Sequence, residues 1–245
     1  MTGQAALATA RTDLEHRLGE LRTAGRITWS DVLHVRQLLY RQEQIDWPIA
    51  RLIFELNRSA NTRDPGWFEL YLEILTDCFL DLRSGLPGIS DQAATCILAW
   101  IEDGAATIDL AERRLLFRLL LRSHRQNPLF RERVLAIAAA HLIHADRRLG
   151  DDAPRRPGTI DAVDLQLVRR LLFGPGAQDD AILDRPAAGF LAKLWEGVDA
   201  GRSNEDWPAL FAYAVGKYLA ELSQDAADLR VADPETLHAA LRARL

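Results

Sequence analysis

Residues 102–112 read Glu-Asp-Gly-Ala-Ala-Thr-Ile-Asp-Leu-Ala-Glu, which sets the carboxylates of Asp103, Asp109 and Glu112 around Gly104. Taken residue by residue, Asp109 is a helix N-cap and Glu112, three positions on, is its capping-box partner. Asp46 and Asp184 open helices in the same way. A second cluster is His141-Leu142-Ile143-His144-Ala145-Asp146. Two histidines at i, i+3 share a helical face and suit Zn²⁺, with Asp146 as a neighbour, but a zinc-dependent enzyme needs a further convergent ligand. His16, His34, His124 and His238 are scattered and no HExxH is present, so helix-flank histidines are the preferred reading. No GxSxG elbow and no Cys-His pair in a plausible setting occurs. Gly174-Pro175-Gly176 reads as a turn and Gly216-Lys217 as helix interior, so no phosphate loop is visible.

Arginine and tryptophan carry the remaining chemistry. Arg113, Arg114, Arg118, Arg122 and Arg125 follow one side of a helix and its exit, with Arg131 and Arg133 beyond. Guanidinium forks bind phosphates and carboxylates, yet solvated helix surface is the default for such a run. The six tryptophans are Trp29, Trp47, Trp67, Trp100, Trp195 and Trp207. Trp29 and Trp47 flank helix ends, where exposed aromatics make interface anchors. Trp67 and Trp207 begin equivalent helices and are assigned to packing.

The elements that must position these groups follow from composition and period. The chain has 245 residues, 48% hydrophobic and 27% charged, with a net charge of −5. Such a chain buries roughly 70–75% of its unfolded surface without disulfides or metals. Net acidity and the lack of a recognition motif exclude a nucleic-acid partner. The N-terminal residues lack a basic n-region and an apolar h-region, and no apolar run approaches the roughly 20 residues of a membrane span. Cys78 and Cys96 sit at apolar helical spacings, each read as lacking a second thiol nearby, which fits a reducing compartment. A cytoplasmic protein is expected. Lysine occurs only at Lys193 and Lys217 among abundant arginine and alanine, a codon bias of GC-rich bacterial genomes.

An internal repeat organises the rest. Ile45, Asp46, Arg51, Leu52, Phe54, Leu56 and Pro65 recur as Ile108, Asp109, Arg114, Leu115, Phe117, Leu119 and Pro128, at a constant offset of 63. Asp184, Pro186, Ala188 and Leu194 answer Asp46, Pro48, Ala50 and Leu56 in a third copy. Each copy parses as three helices with broad apolar stripes, and in the first copy these run about 29–41, 47–58 and 65–81. The spacing therefore predicts an all-α protein, a single body 1–245. Three tandem three-helix repeat units, 26–83, 89–149 and 159–222, lie between a leading helix in 1–25 and a terminal helix in 233–245. The links 84–88 and 150–159 are short, the second polar and exposed. No alternation of strand period appears.

The Asp-Gly, hydrophobic-Asp and following Glu of 103–112 resemble the TerB-like domain of tellurite-resistance and related bacterial stress proteins, over about 60 residues. The loop is also similar to a degenerate EF-hand, although Ile108 stands four residues after Gly104 instead of two. The resemblance implies that Asp103, Asp109 and Glu112 are ligands for Ca²⁺ or Mg²⁺, in a cation-binding stress or signalling module. The equivalent of Glu112 is Ile49 or Ala187 in the other copies. Repeat arrays present surfaces for partners, so the leading expectation is a non-catalytic bacterial binding or scaffold protein. It acts on another protein or by self-association, needs no cofactor, and carries an exposed apolar patch near Trp29 and Trp47.

Overall fold

The structure is a computed structural model. It describes every residue except 1, 43–44, 82–86, 104–107, 125–126, 149–152, 175–182 and 223–231, and only the backbone of 2–8 and 81. Gly104, Arg125, Pro175 and Gly176 lie outside the described residues, as do most of the link 84–88 and part of the link 150–159. The described residues form eleven α-helices and two β-pairs of two-residue strands, so the protein is all-α. No described helix is long and apolar enough to cross a membrane.

The contacts divide the chain into two compact units, Met1–Leu119 and Leu120–Leu245. Periodicity places no boundary there, because the division falls within a helix and within the segment 89–149. An apolar stripe says which face of a helix is buried, but not which helix covers it.

In the first unit, α1 (Thr2–Ala24) packs on α2 (Trp29–Leu39) and α3 (Trp47–Ser59), and both of these pack on α4 (Pro65–Phe79). Then come α5 (Asp91–Glu102) and most of α6 (Leu110–Arg122). The starts are set by short polar residues that satisfy free amides of the first turn. Thr28 and Asp31 make a full capping box, while Asp46, Asp64 and Ser90 each accept from an amide of the following turn. Pro48 and Pro65 occupy early positions where no hydrogen bond is lost. The core comprises Leu14, Leu18, Val32, Val35, Ile53, Phe54, Trp67, Tyr71, Leu75 and Ile97, all with almost no exposure.

The strands are a departure from the sequence reading. β1 (Arg26–Ile27) runs parallel to β2 (Thr62–Arg63), and β3 (Leu80–Asp81) antiparallel to β4 (Gly88–Ile89). Two residues cannot display a two-residue period, so the pattern has no trace of them. Gly25 precedes β1 at φ +63°, a left-handed turn natural to glycine. Its carbonyl accepts from the Asn61 amide at 2.8 Å, and that of Ile27 from the Asp64 amide at 2.9 Å. The starts of α2 and α4 are thereby tied together.

The second unit holds α7 (Pro128–His144), α8 (Ala162–Phe173), α9 (Arg185–Gly197), α10 (Asp206–Leu222) and α11 (Pro234–Arg242). α7 lies along α9, and α11 packs on α9 and α10. A glycine turn again precedes a capping box. Gly158, at φ +67°, accepts from the Asp199 amide at 2.8 Å, Ile160 accepts from the Asn204 amide at 2.6 Å, and Asp161 with Asp164 caps α8. The segment 153–161 is pinned by Arg155, whose side chain is fully buried. It donates to the carbonyls of His141, Ala145 and Thr159 and to Asp164, at 2.7–3.3 Å. That guanidinium thus closes the C-terminus of α7 and pairs its charge in one place.

Candidate functional site

Helix α2 has two apolar faces. Val32, Val35, Leu38 and Leu39 are buried, while Trp29, Leu33 and Tyr40 are 55%, 40% and 77% exposed. At 3.6 residues per turn, positions 29, 33 and 40 fall within about 40° of one another, along roughly 16 Å of axis. Tyr40 keeps a helical backbone at the C-cap, so the phase holds to the end of the stripe. The Trp29 indole is seated on bare backbone: a Cβ on Gly66 would stand 2.7 Å from its Cζ3. Beside the stripe, Arg36 is neutralised by Glu73 on α4 at 3.3 Å. The other exposed residues of this helix are Ser30, His34 and Gln37.

Trp47 is half-buried at the start of α3. It meets Phe79 edge-on at 5.1 Å and Trp100 at 6.3 Å, and Arg51 lies 5.4 Å over the Trp100 ring. Its role in the structure is packing at a helix end. Trp67 and Trp207 are fully buried, each in the first turns of its helix. The Trp67 indole N–H donates to Asn57 at 3.3 Å, whereas Trp207 packs against Trp195 and its N–H is buried without a partner.

The acidic loop residues are drawn to arginines. Asp109 and Glu112 form a capping box, each accepting from the other's backbone amide at 2.8 and 3.2 Å. Glu112 is 1% exposed and receives the Nε of Arg58, whose two Nη groups bond the carbonyls of Trp100 and Ile101 at the end of α5. Asp109 has Arg63 at 3.8 Å and the Asn57 amide at 3.5 Å. Asp103 is the C-cap of α5 and pairs with Arg51 at 3.2 Å. The caps of α3 and α9 are met alike: Arg11 reaches Asp46 in the first unit, and Arg131 reaches Asp184 in the second, both at 2.7 Å. Thus the structure brings Asp109 and Glu112 together as a cap and gives each carboxylate a cationic neighbour from the chain itself. Among the described residues no three His, Cys, Asp or Glu side chains are grouped to hold a metal ion. His141 is buried at the end of α7, and His144 and Asp146 are exposed.

Two further groups bear on reactivity. Burial, then the charges of Asp109 and Glu112, push the Tyr71 hydroxyl well above its ordinary range, so it stays protonated. Burial pushes the Cys78 thiol up to about 11, with the charges of Asp46 and Cys96 adding to it. Both thiols are half-buried and free. In the second unit a cleft of about 620 Å³ is lined by Ala136, Gly189, Phe190, Ala192 and Lys193. Its rim includes Glu196, which Arg242 and His238 both engage.

No family model matches the chain, and neither does any curated protein or any solved structure.

Sequence reasoning reached Trp29 but missed Leu33, Tyr40, Arg58 and Asn57. The 29/33/40 spacing was a readable signal, since α2 carries apolar residues on two faces. Arg58 had none, because its partners lie 42–54 residues away.

Proposed function

We propose that this is a non-catalytic binding or scaffold protein that docks an apolar segment of a protein partner on the outward face of α2. The observation that carries this reading is the alignment of Trp29, Leu33 and Tyr40, exposed on one stripe with no unpaired charge among them. Large apolar side chains offer about 150–250 Å² each, so the stripe presents on the order of 400 Å². That is near the largest patch a monomer usually shows, but short of the roughly 800 Å² per partner of a standard stable interface. A single amphipathic helix laid along the stripe fits it better than a broad symmetric dimer face.

Three tandem three-helix units, with the leading and terminal helices, belong to the same proposal. Supporting them are the glycine turns at Gly25 and Gly158, the isoleucine-cap pairs Ile27-Thr28, Ile89-Ser90 and Ile160-Asp161, and the arginines set against Asp46, Asp109 and Asp184. A photo-crosslinker at position 33, used in a lysate of the source cells, tests the docking face. A discrete adduct lost in Trp29→Ala/Tyr40→Ala supports it. The same adduct in the variant, or none from either protein, sinks it.

A further inference from the structure

Helix α6 carries Arg114 and Arg118 one turn apart on the same face. The Arg114 guanidinium lies 4.8 Å over the ring of Phe68 on α4. Its Nε and Nη2, and the Nε of Arg118, are buried with no hydrogen-bond partner, and neither residue forms an ion pair among the described residues. Elsewhere in this unit Arg11, Arg17, Arg51, Arg58 and Arg63 each reach a carboxylate. Arg17 and Arg36 also leave a buried Nε unbonded, but each pairs with a carboxylate through an Nη group. Arg114 and Arg118 are both half-buried, and it is their unbonded nitrogens that are withdrawn from water and left without an acceptor, which is costly for a polar group.

We infer that Arg114 and Arg118 form an oxyanion site for a doubly charged, phosphate-type group. Phe68 covers one face of the Arg114 plane, which leaves the edge of the fork as the direction from which an acceptor is bound. Two guanidiniums borne one helical turn apart match two negative charges, and a tetrahedral oxyanion has enough oxygens to bridge them. A lone carboxylate neutralises only one. The site is separate from the α2 stripe and does not depend on it.

The test titrates the full chain with inorganic phosphate in chloride buffer at matched ionic strength, followed by phosphorus NMR line widths and thermal unfolding. Saturable one-site binding is expected, with a Tm rise of roughly 3–6 °C at concentrations well above Kd. Sulfate should compete and nitrate should not. Affinity should fall at least about tenfold in Arg114→Gln and in Arg118→Gln, and the Tm response should vanish in the double variant. In chloride alone the double variant should be as stable as the parent or more so, since it removes buried donors that bond nothing. No saturable binding, an equal phosphate response in the double variant, or a double variant that is much less stable or unfolded in chloride would each overturn the inference, the last by showing the arginines to be structural.

Discussion

Arg58 joins the end of one helix to the start of another through Glu112. Its Nε bonds that carboxylate, while its Nη groups hold the Trp100 and Ile101 carbonyls at 2.9 and 3.0 Å and its plane lies 4.7 Å over Phe54. The helix termini concerned, the C-terminus of α5 and the N-terminus of α6, have opposite partial charges, and one cation with one anion satisfies both.

Removing Arg58 leaves Glu112 buried and unpaired. Breaking a buried pair from one side costs about 3–5 kcal/mol, so Arg58→Ala should lose stability on that scale in urea denaturation. Glu112→Gln keeps the shape and the capping acceptor and should lose less. Equal losses would show that charge is not what the pair contributes.

Gly197 faces Ile143 so closely that a Cβ would stand 2.5 Å from its Cδ1 and 2.7 Å from its Cγ1. Helix propensity favours alanine over glycine by about 1 kcal/mol, but overpacking costs about 1–3 kcal/mol. Gly197→Ala is therefore expected to destabilise, and Ile143→Ala in the same chain to turn the effect of the alanine favourable. A double-mutant cycle reads the coupling directly.

Two carboxyls pull stability in opposite directions with pH. Burial raises Asp31, but the hydroxyl and amide of Thr28 and the Arg17 guanidinium outweigh it and hold it below the ordinary range. Its contribution is present above the unfolded-state value and is lost as pH falls towards the folded one. Asp164 is raised, chiefly by burial, despite Arg155. Through the window from the ordinary value up to its folded value, the native state holds more protons, so that contribution declines as pH rises. Asp31→Asn should flatten the acid limb of the stability profile and Asp164→Asn should steepen it, both measured by urea unfolding across the carboxylate range.

With its pKa pushed up to about 11 from an ordinary 9.0, Cys78 should alkylate roughly 100-fold more slowly at neutral pH than an unperturbed thiol of equal access. Its rate should still be climbing at pH values where a free thiol has levelled off. Mass spectrometry of iodoacetamide-treated protein, resolved by peptide, checks this. A plateau at ordinary thiol pH would refute it.

Much of the local structure was legible before any coordinates. Thr28, Asp46, Asp64, Ser90, Asp184 and Asp233 open helices as their residue types require, and stripes such as Val32/Val35/Leu38/Leu39 are buried as their spacing predicts. Capping and amphipathic period act within one or two turns, so sequence determines them by itself. Tertiary structure alone decided the division within α6, the pairing of Arg58 with Glu112 and the orphaned nitrogens of Arg114. Each depends on which helix face meets which across tens of residues. Period and propensity leave that choice open, and only the packing of side chains in three dimensions resolves it.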